Sequence, residues 1–599
     1  MKIRTADYIA DFLVKNGITH LFSVPGGGAM HLNDAFGHKE GLHVIYDHHE
    51  QACTIAAEGF FRAFGKLGAA VCVTTGPGGT NALTGVMGSW VDSIPMIVIS
   101  GQVRYDFTVD SVDVPIRQLG DQEFNIIDCV RCMTKYAVMV KDPLKIRYHL
   151  QKAFFKATHG RPGPVWLDIP LDVQGAEIET DDLLPYDEAE DAAEIAPLPD
   201  RAQLRELLDR IAKAKRPVIM AGDAIHIAGA EKKFLQLVDK LKIPVLTAWN
   251  SHDLITDDNP YNGGRPGSGG TRGGNIVMQS CDLMLSLGCR LSVRQTSFNP
   301  ENFIPNAYLA CVDIDQAEMD KPTIHPSMKI RADIRDVLDM LLGMEYDEHG
   351  QHAAWVEHAL EVNRKYPVVL EEYRKTVSPI NPYVFLDELG KALPEGQLTV
   401  TGNGTACAVT FQTVMFKKGQ RMFHNSGSAT MGYGLPAAIG ACFANGNRPT
   451  VCLEGDGSIQ MNLQELQTVV YHKLNLKIFW LNNEGYHSMR QTQTNLFHAN
   501  FSGVDKDSGI SFPSAEKIAA AYDLPYFCIE STVGLQEKLQ ELLARDGAFI
   551  CEVLLDKRQF FAPKLSSKVY PDGTIVSPSL EDMYPFIPEE ELKKDMWKD

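Results

Sequence analysis

The chain has 599 residues, too many for one hydrophobic core, and its 44% apolar and 22% charged residues are the mix of a folded globular protein. A formal net charge of −19 argues against nucleic acid or an anionic membrane as the main partner, and no run of about 18 apolar residues is present to span a bilayer. The 12 cysteines stand in apolar contexts such as Cys72, Cys311 and Cys452, which suits reduced thiols in a cytoplasmic protein; the lone Cys129-x-x-Cys132 is read the same way.

The N-terminal MKIRTADYIADFLVKNG reads as an amphipathic helix and lacks the apolar stretch of a signal peptide. Up to residue 180, short apolar runs at 20–25, 69–75 and 96–100 alternate with helical patterns, which predicts a parallel sheet covered on both faces. An acidic, proline-containing linker at 179–200 leads to a second α/β unit, 195–345, with strands in RPVIMAG, KIPVLTAW, DLMLSLG and AYLACVDID. A third, 375–555, carries strands in QLTVTG, TVCLEGD, KIFWLNN and AFICEVLL. The remaining residues, 556–599, are rich in Pro, Ser and Lys, and no periodicity places them in a core. The fold class expected is α/β: three doubly wound parallel-sheet domains plus a C-terminal covering tail.

The strongest chemical signal is Gly455-Asp456-Gly457-Ser458, followed about 26 residues later by Asn482-Asn483. An apolar strand precedes the first motif, a helix at 463–474 is predicted after it, and a second strand ends at the asparagines. This βαβ spacing puts both polar ends on one edge of the sheet. An Asp carboxylate and an Asn amide oxygen together are hard ligands suited to magnesium, with a diphosphate and water completing the octahedron. Free N–H groups after Ser458 favour a phosphate. Taken singly, each motif is more often a turn or a strand end; it is the pair at this spacing that points to a site.

This set resembles that of the thiamine-diphosphate enzymes, and the resemblance spans nearly the whole chain. By the family's pattern Asp456, Asn483 and the backbone carbonyl of Gly485 would hold Mg2+, with Gly404, Thr405, Gly457 and Ser458 around the diphosphate. The first domain carries the family's His-Glu-Gln and Ala-Glu-Gly-x-x-Arg at His49–Gln51, Ala57–Gly59 and Arg62, and its Gly-Pro-Gly-x-Thr-Asn segment ending at Asn81. Glu50 would then hydrogen-bond the far ring nitrogen of the aminopyrimidine, favouring the imino form that takes the proton from the thiazolium carbon. Met431 matches the apolar wedge beneath the two rings, and the backbones of Ala429 and Met431 the grip on the pyrimidine edge.

Within that family the sequence is most similar to the catalytic subunit of acetolactate (acetohydroxyacid) synthase. Phe22–Gly27 resembles its strand and Pro-Gly-Gly turn, which implies that Pro25 and Gly27 lie over the reacting carbons; Gln122-Glu123 matches its Gln-Glu pair, with Gln122 facing the active centre. GRPGPVWLDIPLDV and TMGYGLPAAIGA are close to its standard segments. The resemblance implies a 2-keto acid donor, pyruvate, a carbonyl acceptor, and a homodimer or homotetramer with Glu50 of one chain facing Asp456 and Asn483 of the other. A regulatory subunit stays open.

Departures bear on the acceptor. Gly404-Thr405-Ala406 replaces the synthase's Gly-Gln-His, Gln493 stands where many synthases have tryptophan, and His31 and His487 add polar groups that are substrate-contact candidates; His48 is read as structural. A more polar pocket keeps a second reading in view, acetyl transfer to a keto sugar nucleotide. In the central domain Arg290 and Arg294 match the synthase's flavin segment, and Asp313 ends a strand where an adenosine ribose would bond; FAD, another nucleotide or nothing are the alternatives. Two other classes compete with this reading: a flavin-linked oxidase or simple decarboxylase, and a non-catalytic homologue, which would be expected to lose Glu50 or the metal residues. All are present.

Overall fold

A computed structural model describes residues 2–347, 349–569 and 574–597. Three six-stranded parallel sheets organise the chain. The first holds β1 (His20–Ser23), β2 (His43–Tyr46), β3 (Ala69–Val73), β4 (Met96–Gln102), β5 (Tyr136–Met139) and β6 (Pro164–Pro170) in the order β2-β1-β3-β4-β6-β5. The second holds β7 (Pro217–Ala221), β8 (Val245–Thr247), β9 (Asn262–Gly264), β10 (Leu283–Leu287), β11 (Tyr308–Asp313) and β12 (Met328–Arg331) in the order β9-β8-β7-β10-β11-β12. The third holds β13 (Leu398–Thr401), β14 (Arg421–Phe423), β15 (Thr450–Gly455), β16 (Leu476–Asn482), β17 (Tyr526–Ile529) and β18 (Phe549–Leu554) in the order β14-β13-β15-β16-β18-β17.

The outer sheets thus share one topology, and the central sheet has the strand order typical of dinucleotide-binding folds. In each, the order reverses beside the first strand, and loops that part there leave a crevice at the carboxyl ends. Those loops are Pro25–Gly28 and Thr74–Pro77 in the first sheet, Gly222 and Gly288 in the second, and Gly402–Gly404 and Gly455–Gly457 in the third.

The inner strands are buried along almost their whole length and mostly apolar because both faces are covered. Ile97 and Ile99 of β4 pack into one core while Met96 and Val98 pack into another, and Ile478 and Trp480 of β16 oppose Phe479 and Leu481 in the same way. The helix α1 (Glu50–Phe64) crosses α4 (Gly434–Ala444) between the outer sheets, with α2 (Pro77–Asp92) beside it and α3 (Thr405–Thr413) and α5 (His487–Phe497) near the third sheet's crevice. Glycines set the approach: a Cβ on Gly59 would lie 2.2 Å from the Ala437 carbonyl oxygen, and one on Gly440 1.9 Å from that of Ala56.

Two expectations are corrected. The single helix predicted at 463–474 is instead a 3-10 segment, Ile459–Glu465, broken at Asn462 (φ −138°), and a short helix, Leu466–Tyr471. Asn462 leaves the helical region while its side chain donates to the Gly432 carbonyl at 2.8 Å. The tail does enter a core. Leu580 and Met583 are fully buried, Leu580 packing against Met220 and Trp355 in the central domain's core, and a helix at Glu589–Asp595 buries Leu592. Its apolar residues are too widely spaced to show a period. Tyr570–Gly573 of the tail lie outside the described residues.

Candidate active site

The residues singled out from sequence fall into three groups. On the first sheet's crevice, Glu50 starts α1 and is 8% exposed, and its Oε2 accepts from Asn81 Nδ2 at 3.0 Å. His49 caps that helix, its ring accepting from the Gln51 N–H at 3.1 Å, so the carboxylate of Glu50 is delivered at a helix start with a fixed direction. Pro25 and Gly27 are exposed on the neighbouring turn, and Gln122 is exposed with φ +60° next to Gly76. His31 is half-buried behind the turn, its ring leaning on Gly175. His48 bonds Thr468 Oγ1 through Nδ1 at 3.2 Å, a cross-domain structural contact.

The second group lines a cavity of about 850 Å³ at the third sheet's crevice: Gly404, Thr405, Ala429, Met431, Asp456, Gly457, Ser458, Asn483, Gly485 and His487. Asp456 accepts from the Gly457 N–H at 2.8 Å and the Gly485 N–H at 3.0 Å. Burial pushes its carboxyl up to about 7, against the lowering effect of its backbone donors and of the Arg490 charge. Asn483 donates through Nδ2 to Thr405 Oγ1 at 3.2 Å, and its Oδ1 is buried with no partner. An acid held by two backbone donors, an orphaned amide oxygen and the Gly485 carbonyl fit a small hard cation. Gly485 has φ +142°, and a Cβ there would lie 2.0 Å from the Val504 carbonyl oxygen, so only glycine brings this loop against the site. Thr405 heads α3, whose free N–H groups and the hydroxyl proton left after accepting from Asn483 suit a phosphate.

Met431 is 37% exposed on the cavity surface. Its loop is pinned by Ser458 Oγ, which accepts from the Gly432 N–H at 2.9 Å. Ala429 has φ +53°, and its carbonyl accepts from Asn403 Nδ2 at 2.7 Å. His487 lines the cavity, but Nε2 lies 2.9 Å from the Gln559 carbonyl of the tail, and burial holds the ring at about 4, neutral. Gln493 turns away from the cavity: its amide bonds both the N–H and the carbonyl of Ser502, at 2.8 and 3.1 Å.

The third group sits in a smaller cleft of about 150 Å³ between Gly222 and Gly288, lined by Arg290, Arg294 and Asp313. Asp313 accepts from the Asp315 N–H at 2.9 Å and is pushed up to about 6 by burial. Arg290 donates to the Val91 carbonyl. Trp249, Arg294 and Ser426 line both this cleft and the larger cavity.

Other residues acquire a role only in the structure. Glu454, fully buried before the Gly-Asp-Gly turn, accepts from the Gly434 N–H at 2.7 Å and so braces the wedge loop's exit; burial raises it to about 7. Its signal was an acid closing an otherwise apolar strand. Arg490 clamps the loop after Asn483, donating to the Asn483 and Glu484 carbonyls at 3.1 and 2.8 Å. Arg62 reaches Glu58 (2.9 Å), Asp92 (2.8 Å) and Asp223 (3.2 Å), and Tyr433 donates to Glu58 at 3.1 Å, so one buried guanidinium joins all three domains.

Residues 3–126 match the thiamine pyrophosphate enzyme N-terminal TPP binding domain, residues 204–341 its central domain, and residues 402–553 its C-terminal TPP binding domain. The chain belongs to the thiamine pyrophosphate enzymes. It is 32% identical over 572 residues to the acetolactate synthase isozyme 1 large subunit of Escherichia coli (strain K12), covering 94% of this chain and 95% of that one. It is 29% identical to the acetolactate synthase large subunit of Lactococcus lactis subsp. lactis (strain IL1403), with 93% and 94% covered. The probable acetolactate synthase large subunit of Methanocaldococcus jannaschii is 31% identical, with 92% of each covered. The protein is a thiamine-diphosphate-dependent enzyme of the acetolactate synthase-like carboligase type. Among the described residues no helix is long and apolar enough to cross a membrane.

Proposed function

We propose that the protein decarboxylates a 2-keto acid, pyruvate, and transfers the two-carbon unit to a carbonyl acceptor, using thiamine diphosphate and Mg2+. The observation that carries the metal is the orphaned, buried Oδ1 of Asn483 beside Asp456. Asp456, Asn483 Oδ1 and the Gly485 carbonyl would hold Mg2+, and the N–H groups of Thr405 and the hydroxyl of Ser458 would face the diphosphate. Bound there, the cofactor supplies a carbon nucleophile and an electron sink for the bond being broken. The chain's own part is orientation and proton control. Met431 wedges the cofactor's rings, the Ala429–Met431 backbone fixes the pyrimidine edge, and Glu50 holds a proton at its ring nitrogen.

Glu50, Asn81, Pro25, Gly27 and Gln122 are absent from the lining of the cavity that contains Asp456. This favours a homodimer, alone or within a tetramer, in which Glu50 of one chain completes the other chain's cavity. The central sheet's strand order and the Asp313 carboxylate at the end of β11 suit a nucleotide in the smaller cleft, and FAD is the assignment proposed.

The test is pyruvate turnover with magnesium and thiamine diphosphate, following carbon dioxide and acetolactate together. Matching rates establish acetolactate formation. Pyruvate consumed once per site without acetolactate would retain the donor and shift the acceptor to the second reading, a keto sugar nucleotide, which the polar lining at His424, Asn403 and Ser426 favours. No pyruvate consumption under any acceptor would sink the proposal.

A further inference from the structure

Met431 rides on a segment without regular structure. Between Phe423, the last residue of β14, and Gly434, the first of α4, neither helix nor strand fixes the backbone, and residues 426–431 are exposed or half-buried. Where the wedge stands therefore depends on the anchors of that loop. Three come from the third domain itself: Ser458 Oγ accepts from the Gly432 N–H, Asn462 Nδ2 donates to the Gly432 carbonyl, and Asn403 Nδ2 donates to that of Ala429. The first domain adds two more, one at each end of the loop.

At the far end Tyr433 is fully buried, and its hydroxyl donates to Glu58 Oε1 at 3.1 Å. Burial holds that hydroxyl well above its ordinary range, so it stays a donor. At the near end the loop presses on α2: a Cβ on Gly427 would lie 2.2 Å from Asp92 Oδ1, and one on Gly88 4.0 Å from Ser428 Cβ. The two carboxylates are not independent. Arg62 donates from Nε to Glu58 Oε1 at 2.9 Å and from Nη2 to Asp92 Oδ2 at 2.8 Å, and its side chain is buried. One planar guanidinium thus fixes the spacing of two acids that bracket the loop. Packing alone asks for nothing polar here, since a phenylalanine ring would fill the Tyr433 site, and a buried ion cluster is a poor source of net stability. What the hydroxyl and its acceptor supply is a fixed distance, two residues from the wedge.

We propose that Tyr433, held by Glu58, is a positioning residue for the Met431 wedge, and that Arg62, Glu58 and Asp92 form a first-domain brace that sets where the wedge stands in the third domain's cavity. The brace rests on the thiamine-diphosphate reading of that cavity and goes beyond it: the first domain of the same chain controls how far the cofactor's rings fold together, a role separate from that of Glu50.

The experiment takes the magnesium–thiamine diphosphate holoenzyme and follows hydrogen–deuterium exchange at the thiazolium carbon, which depends on the fold-over of the two rings. Tyr433→Phe removes one oxygen and should slow exchange per folded site about tenfold, the weight of one hydrogen bond to a carboxylate. It should lower kcat in step while the KM for pyruvate stays near that of the wild type. Asp92→Asn, which weakens the brace at the other end of the loop, should act in the same direction, and it decides the matter if Tyr433→Phe does not fold. A tyrosine that only supports the fold would lower the unfolding temperature and leave exchange per folded site unchanged; that result overturns the proposal while leaving the carboligase in place. Should the wild type exchange no faster than free thiamine diphosphate, the cofactor reading falls, and amide hydrogen exchange of residues 426–433 in the protein alone decides the brace separately. Protection of that segment reduced about tenfold in Tyr433→Phe, with α4 unchanged, supports it; equal protection overturns it.

Discussion

At Asn483 the amide nitrogen is taken by Thr405 Oγ1, so its oxygen is left facing the acid of Asp456 with nothing to accept from. Leaving a buried acceptor unmade costs about 1–3 kcal/mol, which a cation at that point would recover. Glu50 differs: among the described residues its side-chain partner is Asn81, an amide that orients the carboxylate. An acid kept in that condition is suited to share a proton with a ring nitrogen. Glu50→Gln should therefore bind thiamine diphosphate with affinity close to wild type and slow hydrogen–deuterium exchange at the thiazolium carbon by about a hundredfold or more. Exchange at the wild-type rate would remove Glu50 from its assigned role.

At the scale of elements, most inner strands could be read from sequence because burial on both faces makes them largely apolar runs, as in TVCLE and KIFWL; Pro164–Pro170, interrupted by Asp168, is not one of them. Edge strands could not. His43–Tyr46, Asn262–Gly264, Arg421–Phe423 and Tyr526–Ile529 are short, and most carry polar or exposed positions, so only their neighbours in the sheet define them. The motifs around Asp456 and Glu50 were legible because their residue types are dictated by chemistry at fixed spacing. The seat of the tail on the central core, through Leu580, was not, since segments that meet only in three dimensions leave no common pattern in the chain. Helix crossings lie between these cases: Gly59 and Gly440 look like ordinary helix glycines until α1 and α4 are seen to touch through them. Gly440→Ala should force the helices apart and destabilise the protein by about 1–3 kcal/mol, measured by denaturant or thermal unfolding, although alanine is the better helix former. A gain in stability would show that the contact yields easily.

At the scale of the molecule, Arg62 ties the first domain to the central one through Asp223, and its partner Glu58 accepts from Tyr433 of the third domain, while Glu50 and Asp456 open onto separate crevices. Exposed apolar side chains lie near both, Met30, Phe107 and Val114 on the first domain and Met431, Met461 and Met489 on the third. A two-fold dimer would bury them and join Glu50 of one chain to Asp456 of the other. The arrangement can be tested by complementation. A Glu50→Gln chain and an Asp456→Ala chain should each be inactive alone. Co-expressed in equal amounts and paired at random, half of the dimers carry one chain of each kind. In such a dimer one site receives both substitutions and the other receives Glu50 from the second chain and Asp456 from the first, so it is intact. The mixture should then show about a quarter of wild-type activity per site. A site built within one chain would leave every site damaged and the mixture inactive, and the homodimer would lose its catalytic reason.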